Sequence, residues 1–106
     1  MESYQIQILN QIFEIEKKIA ENEALQKIER NIRRIKNCLE ESGIIYHDPL
    51  GEDYNETRTD CEASIVGTSS ENLKIVEVIK PIIRKKEGQQ TSIIQKAIVI
   101  VETRDK

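Results

Sequence analysis

A chain of 106 residues that is 38% hydrophobic and 4% aromatic, with no Trp, has room for one domain, or for a helical element beside one small domain. Its net charge of −3 speaks against generic phosphate-backbone binding, which needs a basic face. Cys38 and Cys61 stand far apart with no CxxC pair or ligand cluster, so a reduced, cytoplasmic chain is expected rather than a disulfide scaffold or a metal site.

Neither a charged-then-apolar leader nor a long apolar run is present, so no signal peptide and no membrane span are expected. A chain this short buries a modest share of its surface alone, and part of its stability is expected to come from self-association.

From Ser3 to Ser42 there is neither Gly nor Pro, and Ser3 is a candidate N-cap. Ile8, Ile12, Ile15 and Ile19 form one helical stripe, and Leu25, Ile28, Ile32, Ile35 and Leu39 form a second. The two do not join in phase. Either one helix carries a stammer, or it breaks around Glu21-Asn22-Glu23 and folds back as a hairpin. Both alternatives leave an apolar seam in need of a partner, which a homodimer supplies. Lys27, Arg30, Arg33, Arg34 and Lys36 make the outer face of the second half basic, either as a solvated face or as a docking face for an acidic partner. Gly43, directly after the last periodic residues, suits the left-handed C′ position of a helix end.

Asp48-Pro49-Leu50-Gly51 is a turn signal in which Asp caps its own turn, Pro fixes φ and Gly accepts positive φ. Tyr46 and Tyr54 flank it. His47, the single histidine, has Asp48 beside it but no nucleophile placed by motif, so it is expected to be a solvent-facing turn residue.

Three later runs read as strands. In Asp60 to Val66, Cys61, Ala63 and Ile65 face one way and Glu62 and Ser64 the other. Gly67 to Asn72 is a polar loop. Lys74 to Ile83 is β-branched, with Pro81 marking an edge, a bulge or a stop. Arg84 to Thr91 reads as a charged loop with a basic rim. Ile93 to Val101 reads as one strand, apolar on both faces and therefore central in its sheet, and the tail from Glu102 should fray. The expected fold class is α+β: a helical dimerisation segment, residues 1–43, followed by a small all-β module, residues 44–106, forming an antiparallel sheet or half-barrel. No nucleophile, base and orienter can be assembled from these residue types, so a non-enzymatic chain with no cofactor and no metal is expected.

Taken in order, these motifs resemble the GrpE family, nucleotide exchange factors of DnaK-type chaperones. Pro49-Leu50-Gly51-Glu52-Asp53-Tyr54-Asn55 is similar to the family's junction, Cys61-Glu62-Ala63 to its strand start, Ile75 to Val78 to its next segment and Ile93 to Val101 to its last strand. The resemblance runs from about Leu25 onward and rests on the order of the motifs. The sequence departs from the pattern where the family's Gly-Tyr falls at Pro81-Ile82 and its late Arg at Gln95, and no counterpart of the family's long N-terminal helix is expected.

The resemblance implies two antiparallel helices, Ile6 to Ala20 and Leu25 to Ser42, that build a four-helix bundle in a dimer. It further implies that the β module wedges against the chaperone's ATPase domain and releases ADP. Tyr54, Val78 and a basic residue among Arg84, Lys85 and Lys86 are the implied contacts. Two other readings stand beside it. One is an adaptor that presents a β module to another partner; the other is a small nucleic-acid-binding dimer using Arg30, Arg34 and Lys85.

Overall fold

The computed structural model describes residues 2–67 and 71–104. The architecture is α+β, with two helices followed by a β-rich region of two sheets. The phase slip between the two helical stripes is a break. Helix α1 (Glu2–Glu21) ends at Asn22, which takes an extended conformation (φ −144, ψ 110). Its side chain accepts a hydrogen bond from the Ala24 amide at 2.9 Å and so caps a 3-10 turn, Glu23–Ile28, that leads into helix α2 (Glu29–Glu41). Asn is a strong N-cap residue because its short side chain satisfies an otherwise orphaned amide. The chain folds back here, and Lys36 of α2 reaches Glu16 of α1 at 3.1 Å. Helix α1 already starts at Glu2, so Ser3 lies inside its first turn rather than capping it.

Helix α2 closes as its sequence foretells. The amide of Gly43 donates to the Glu40 carbonyl at 2.9 Å, Ser42 bonds back to Leu39, and Gly43 takes φ +95. The chain then enters strand β1 (Ile44–His47), a short strand not foreseen from the sequence. Strand β2 is Asp53–Tyr54, β3 Cys61–Val66, β4 Leu73–Lys80, β5 Ile82–Glu87, β6 Gln90–Gln95 and β7 Ala97–Thr103.

One sheet has the order β1-β5-β6 and the other β2-β4-β7-β3. Strand β7 is central, antiparallel to β4 and parallel to β3. Against the expected antiparallel sheet or half-barrel, β2–β4 and β4–β7 pair antiparallel, while β3 pairs with β7 in parallel. The chain between β3 and β7 is a long crossover through β4, β5 and β6 rather than a hairpin, and only such a connection returns a strand in parallel.

Two further boundaries differ from the sequence reading. The charged stretch Arg84 to Thr91 is a β-hairpin, not a loop. Gly88 at φ +63 and Gln89 form its two-residue turn, the pattern of a type II′ turn, which suits the natural strand twist. The run Ile93 to Val101 is divided at Lys96 between β6 and β7, which lie in different sheets. Pro81 is a stop between β4 and β5, since it has no N–H for a ladder. Glu102 and Thr103 belong to β7 rather than to a frayed tail. Thr68 to Ser70 of the polar loop and the last two tail residues lie outside the described residues.

The chain divides into two compact units, Met1–Ile45 with Arg84–Ser92, and Tyr46–Ile83 with Ile93–Lys106. A boundary after residue 43 is thus crossed by the β5–β6 hairpin tip, which joins the helical unit; the Lys86 amide donates to the Gly43 carbonyl at 2.7 Å. The helical unit buries Leu9, Ile12, Phe13, Ile19, Ile32 and Ile44. The second unit buries Cys61, Leu73, Ile75, Val78, Ile82, Ile83, Ala97, Val99 and Val101. Each of the larger aliphatic side chains contributes about 1.5–3 kcal/mol when fully covered, so each unit is held by a small aliphatic core.

Candidate functional site

The junction between β1 and β2 is built by local hydrogen bonds. The Leu50 amide donates to Asp48 Oδ1 at 3.1 Å, so Asp48 does cap its own turn. Gly51 sits at φ +85, and its amide donates to the Ile75 carbonyl at 2.9 Å. The Ile75 amide returns a bond of 2.9 Å to the Glu52 carbonyl. These two bonds dock the turn on β4. Tyr54, the next strand residue, pairs with Leu73 of β4.

Arg58 clamps this junction. Its Nε donates to Asp60 Oδ1 at 2.7 Å, its Nη2 to Glu52 Oε1 at 2.8 Å and its Nη1 to the Asp53 carbonyl at 2.9 Å. His47 Nε2 lies 2.5 Å from the other Glu52 oxygen. The electrostatics follow from this geometry. The hydrogen bond from Arg58 is the main cause holding the Asp60 carboxyl below its ordinary value, against burial. Burial pushes Glu52 up, but Arg58 and His47 outweigh it and leave that carboxyl lowered as well. Arg58 itself is raised, chiefly by Asp60. Cys61 follows Asp60 directly; burial is the first cause that pushes its thiol up to about 11. A protonated, covered thiol is inert, which fits a packing role.

Beyond the clamp, Tyr54 lines an open cleft of about 600 Å³ together with Asp53, Asn72, Leu73, Lys74 and Arg104. Of its lining charges, Lys74 pairs with Asp53, and Arg104 lies 3.9 Å from Glu102, which stands outside the lining. The cleft therefore offers a tyrosine edge beside one excess positive charge.

The other implied contacts divide. Val78 is 3% exposed and faces Val99 of β7, so its side chain belongs to the core and is closed to a partner on an intact sheet. Arg84 and Lys85 are half-buried and Lys86 is exposed, all three on strand β5 rather than in a loop. Lys85 reaches Glu87 at 3.5 Å. Two of the positions that depart from the GrpE pattern touch each other, since Gln95 Nε2 donates to the Pro81 carbonyl at 3.0 Å.

The predicted dimer seam also divides. Ile12, Ile19 and Ile32 are buried within the helical unit, and Leu25 and Leu39 are half-buried. Ile8, Ile28 and Ile35 are 45%, 44% and 46% exposed. Ile8, Ile12, Ile15, Ile32 and Ile35 line an apolar groove of about 380 Å³, bordered by Tyr4, Gln7 and Gln11. Leu9 and Phe13, which sequence reasoning missed, are 0% and 2% exposed and join Ile12, Ile19 and Ile32 in the inner core. Their i, i+4 spacing beside Ile12 was the available signal, because a core-facing helix needs an apolar stripe wider than a single seam. Arg58 was also missed; its signal was a lone cation set between Glu52, Asp53 and Asp60.

Among the described residues there is no cluster of three or more potential metal ligands, and no helix is long and apolar enough to cross a membrane. Compared with known proteins, the chain matches no family model, no curated protein and no solved structure.

Proposed function

We propose that this chain is a GrpE-like co-chaperone, a homodimer that binds the ATPase domain of a DnaK-type chaperone and promotes ADP release without covalent chemistry or a cofactor. The observation that carries the reading is the order of its elements. A helical hairpin with an open apolar groove is followed by a glycine exit, a docked junction turn, Tyr54 on an edge strand and a central last strand. That order is the one the sequence motifs share with the GrpE family.

The groove supports the homodimer, since a second copy would cover Ile8, Ile15 and Ile35 and complete a bundle. Tyr54 and the basic face of β5, with Lys86 outermost, are the partner contacts this reading retains. Exchange then works by population shift. A module that binds the open form of a nucleotide cleft more tightly than the closed form prefers the ADP-free chaperone, and by the factor of that preference it lowers the affinity for ADP. Titration calorimetry of the chain against a DnaK-type ATPase domain tests this: tighter binding to the nucleotide-free form than to the ADP form is expected, and equal affinities would refute it.

The contact between Pro81 and Gln95 favours a second reading, because both residues replace positions of the family pattern together. In that reading the dimer is an adaptor that displays its β module to another partner. Binding to the ATPase domain with no preference for nucleotide state would favour it.

A further inference from the structure

The four-stranded sheet ends on one side in β2, two residues long, and on the other in β3, six residues long. Sheet edges are ordinarily guarded by charged side chains, Lys above all, by Pro, a bulge or shortness, and Glu62 is the single such charge on β3. Strand β3, Cys-Glu-Ala-Ser-Ile-Val, has no Lys, Arg or Pro, and its register with β7 runs unbroken from Cys61↔Ala97 to Val66↔Glu102. Strand β4, by contrast, carries two register shifts against β7.

The phase of the β3–β7 ladder is set by one bond, from the Ala97 amide to the Asp60 carbonyl at 2.9 Å. In a parallel ladder it turns the backbone groups of Glu62, Ser64 and Val66 toward β7 and those of Ala63 and Ile65 toward the open side. Beside that edge, Ile65 and Val66 are 43% and 50% exposed, and the carboxylate of Glu62 is exposed.

We infer that the β3 edge is a docking site for an extended segment of a partner polypeptide, apolar at alternate positions and carrying a Lys or Arg opposite Glu62. Outward N–H and C=O groups on alternate residues are matched by an extended backbone and by little else. The charge follows from Glu62, the one ionisable side chain exposed along the strand. The size argues for a peptide segment over a second copy. Six residues of edge bury far less than the roughly 1,200 Å² that specific association of two folded chains ordinarily needs. This inference is independent of the co-chaperone reading.

The test uses the full chain and the peptide acetyl-Thr-Val-Lys-Val-Thr-Val-amide, read by residue-resolved amide exchange and by fluorescence anisotropy of a labelled copy. In the free chain, Ala63 and Ile65 should exchange fast while Ser64 is protected. With peptide, Ala63 and Ile65 should become protected. Ala63→Pro removes one outward N–H without touching the ladder to β7, and should weaken binding by about tenfold or more. Glu62→Lys leaves the backbone alone and should reverse the preference between this peptide and the one with Glu in place of Lys. Unchanged exchange at Ala63 and Ile65 under saturating peptide, or equal affinity for both peptides in the unaltered chain, would overturn the inference. So would protection of the two residues that rises with chain concentration alone, because the edge would then belong to a second copy.

Discussion

The amide of Lys86 donates to the carbonyl of Gly43 at 2.7 Å, and the carbonyl oxygen of Lys86 lies only 2.8 Å from where a Cβ on Gly43 would stand. Gly43 is therefore needed twice, for its φ of +95 and for the close approach of β5. Gly43→Ala should cost about 2–3 kcal/mol, from backbone strain plus displacement of the β5 backbone. Gly51→Ala, at φ +85 with nothing within 4 Å, meets the strain alone and should cost less. Urea unfolding of the two variants measures the difference.

The Arg58 clamp should carry much of the acid sensitivity. Asp60 and Glu52 are lowered from ordinary values of 3.8 and 4.5. A lowered carboxyl contributes stability that is fully present above its ordinary value and is lost as pH falls through the folded one. Arg58→Met removes the cation that Asp60 and Glu52 share, at a cost of about 1–3 kcal/mol near neutral pH. Its stability should also fall less steeply than that of the unaltered chain below pH about 4. Unfolding free energies measured across that range test both expectations.

At the alkaline end the sign reverses. Burial raises Cys61 from 9.0 to about 11, so the proton is held more tightly in the folded chain than in the unfolded one. The stability tied to this proton is full below 9.0 and is lost as pH rises toward 11, at up to about 1.4 kcal/mol per pH unit. Cys61→Ala should remove this part of the alkaline slope. In the folded chain, a thiol reagent should modify exposed Cys38 well before buried Cys61.

The divided helical seam separates association from folding. For the proposed homodimer, Ile8→Glu with Ile35→Glu places charge in the open groove and should leave the helical circular dichroism intact while sedimentation shifts from dimer to monomer; a sedimentation coefficient equal to that of the unaltered chain would count against the groove as the dimer seam. Leu9→Ala and Phe13→Ala remove fully covered side chains and should each cost about 2–5 kcal/mol.

Where each feature was legible depends on how local its cause is. The cap at Gly43, the turn at Asp48 and the alternation of β7 are short-range chemistry, and they read directly from neighbouring residues. The break at Asn22 was visible as a phase slip, but its form depended on one side-chain cap. The parallel β3–β7 pairing is long-range, and alternation alone carries no direction. The hairpin at Gly88-Gln89 was hidden because the strand halves beside the turn are polar, Arg84 to Glu87 charged and Gln90 to Ser92 uncharged, so apolar periodicity was absent there. Val78 shows the limit of carrying a contact over by resemblance, since the same β-branched residue serves a surface or a core depending on which way its strand turns.

The rate at which a fluorescent ADP analogue leaves a DnaK-type ATPase domain tests the proposed function most directly. With the full chain added, release should accelerate with concentration and then saturate, and Tyr54→Ala should reduce the acceleration while leaving the fold intact. A release rate unchanged by a saturating concentration of the chain would contradict the exchange-factor reading.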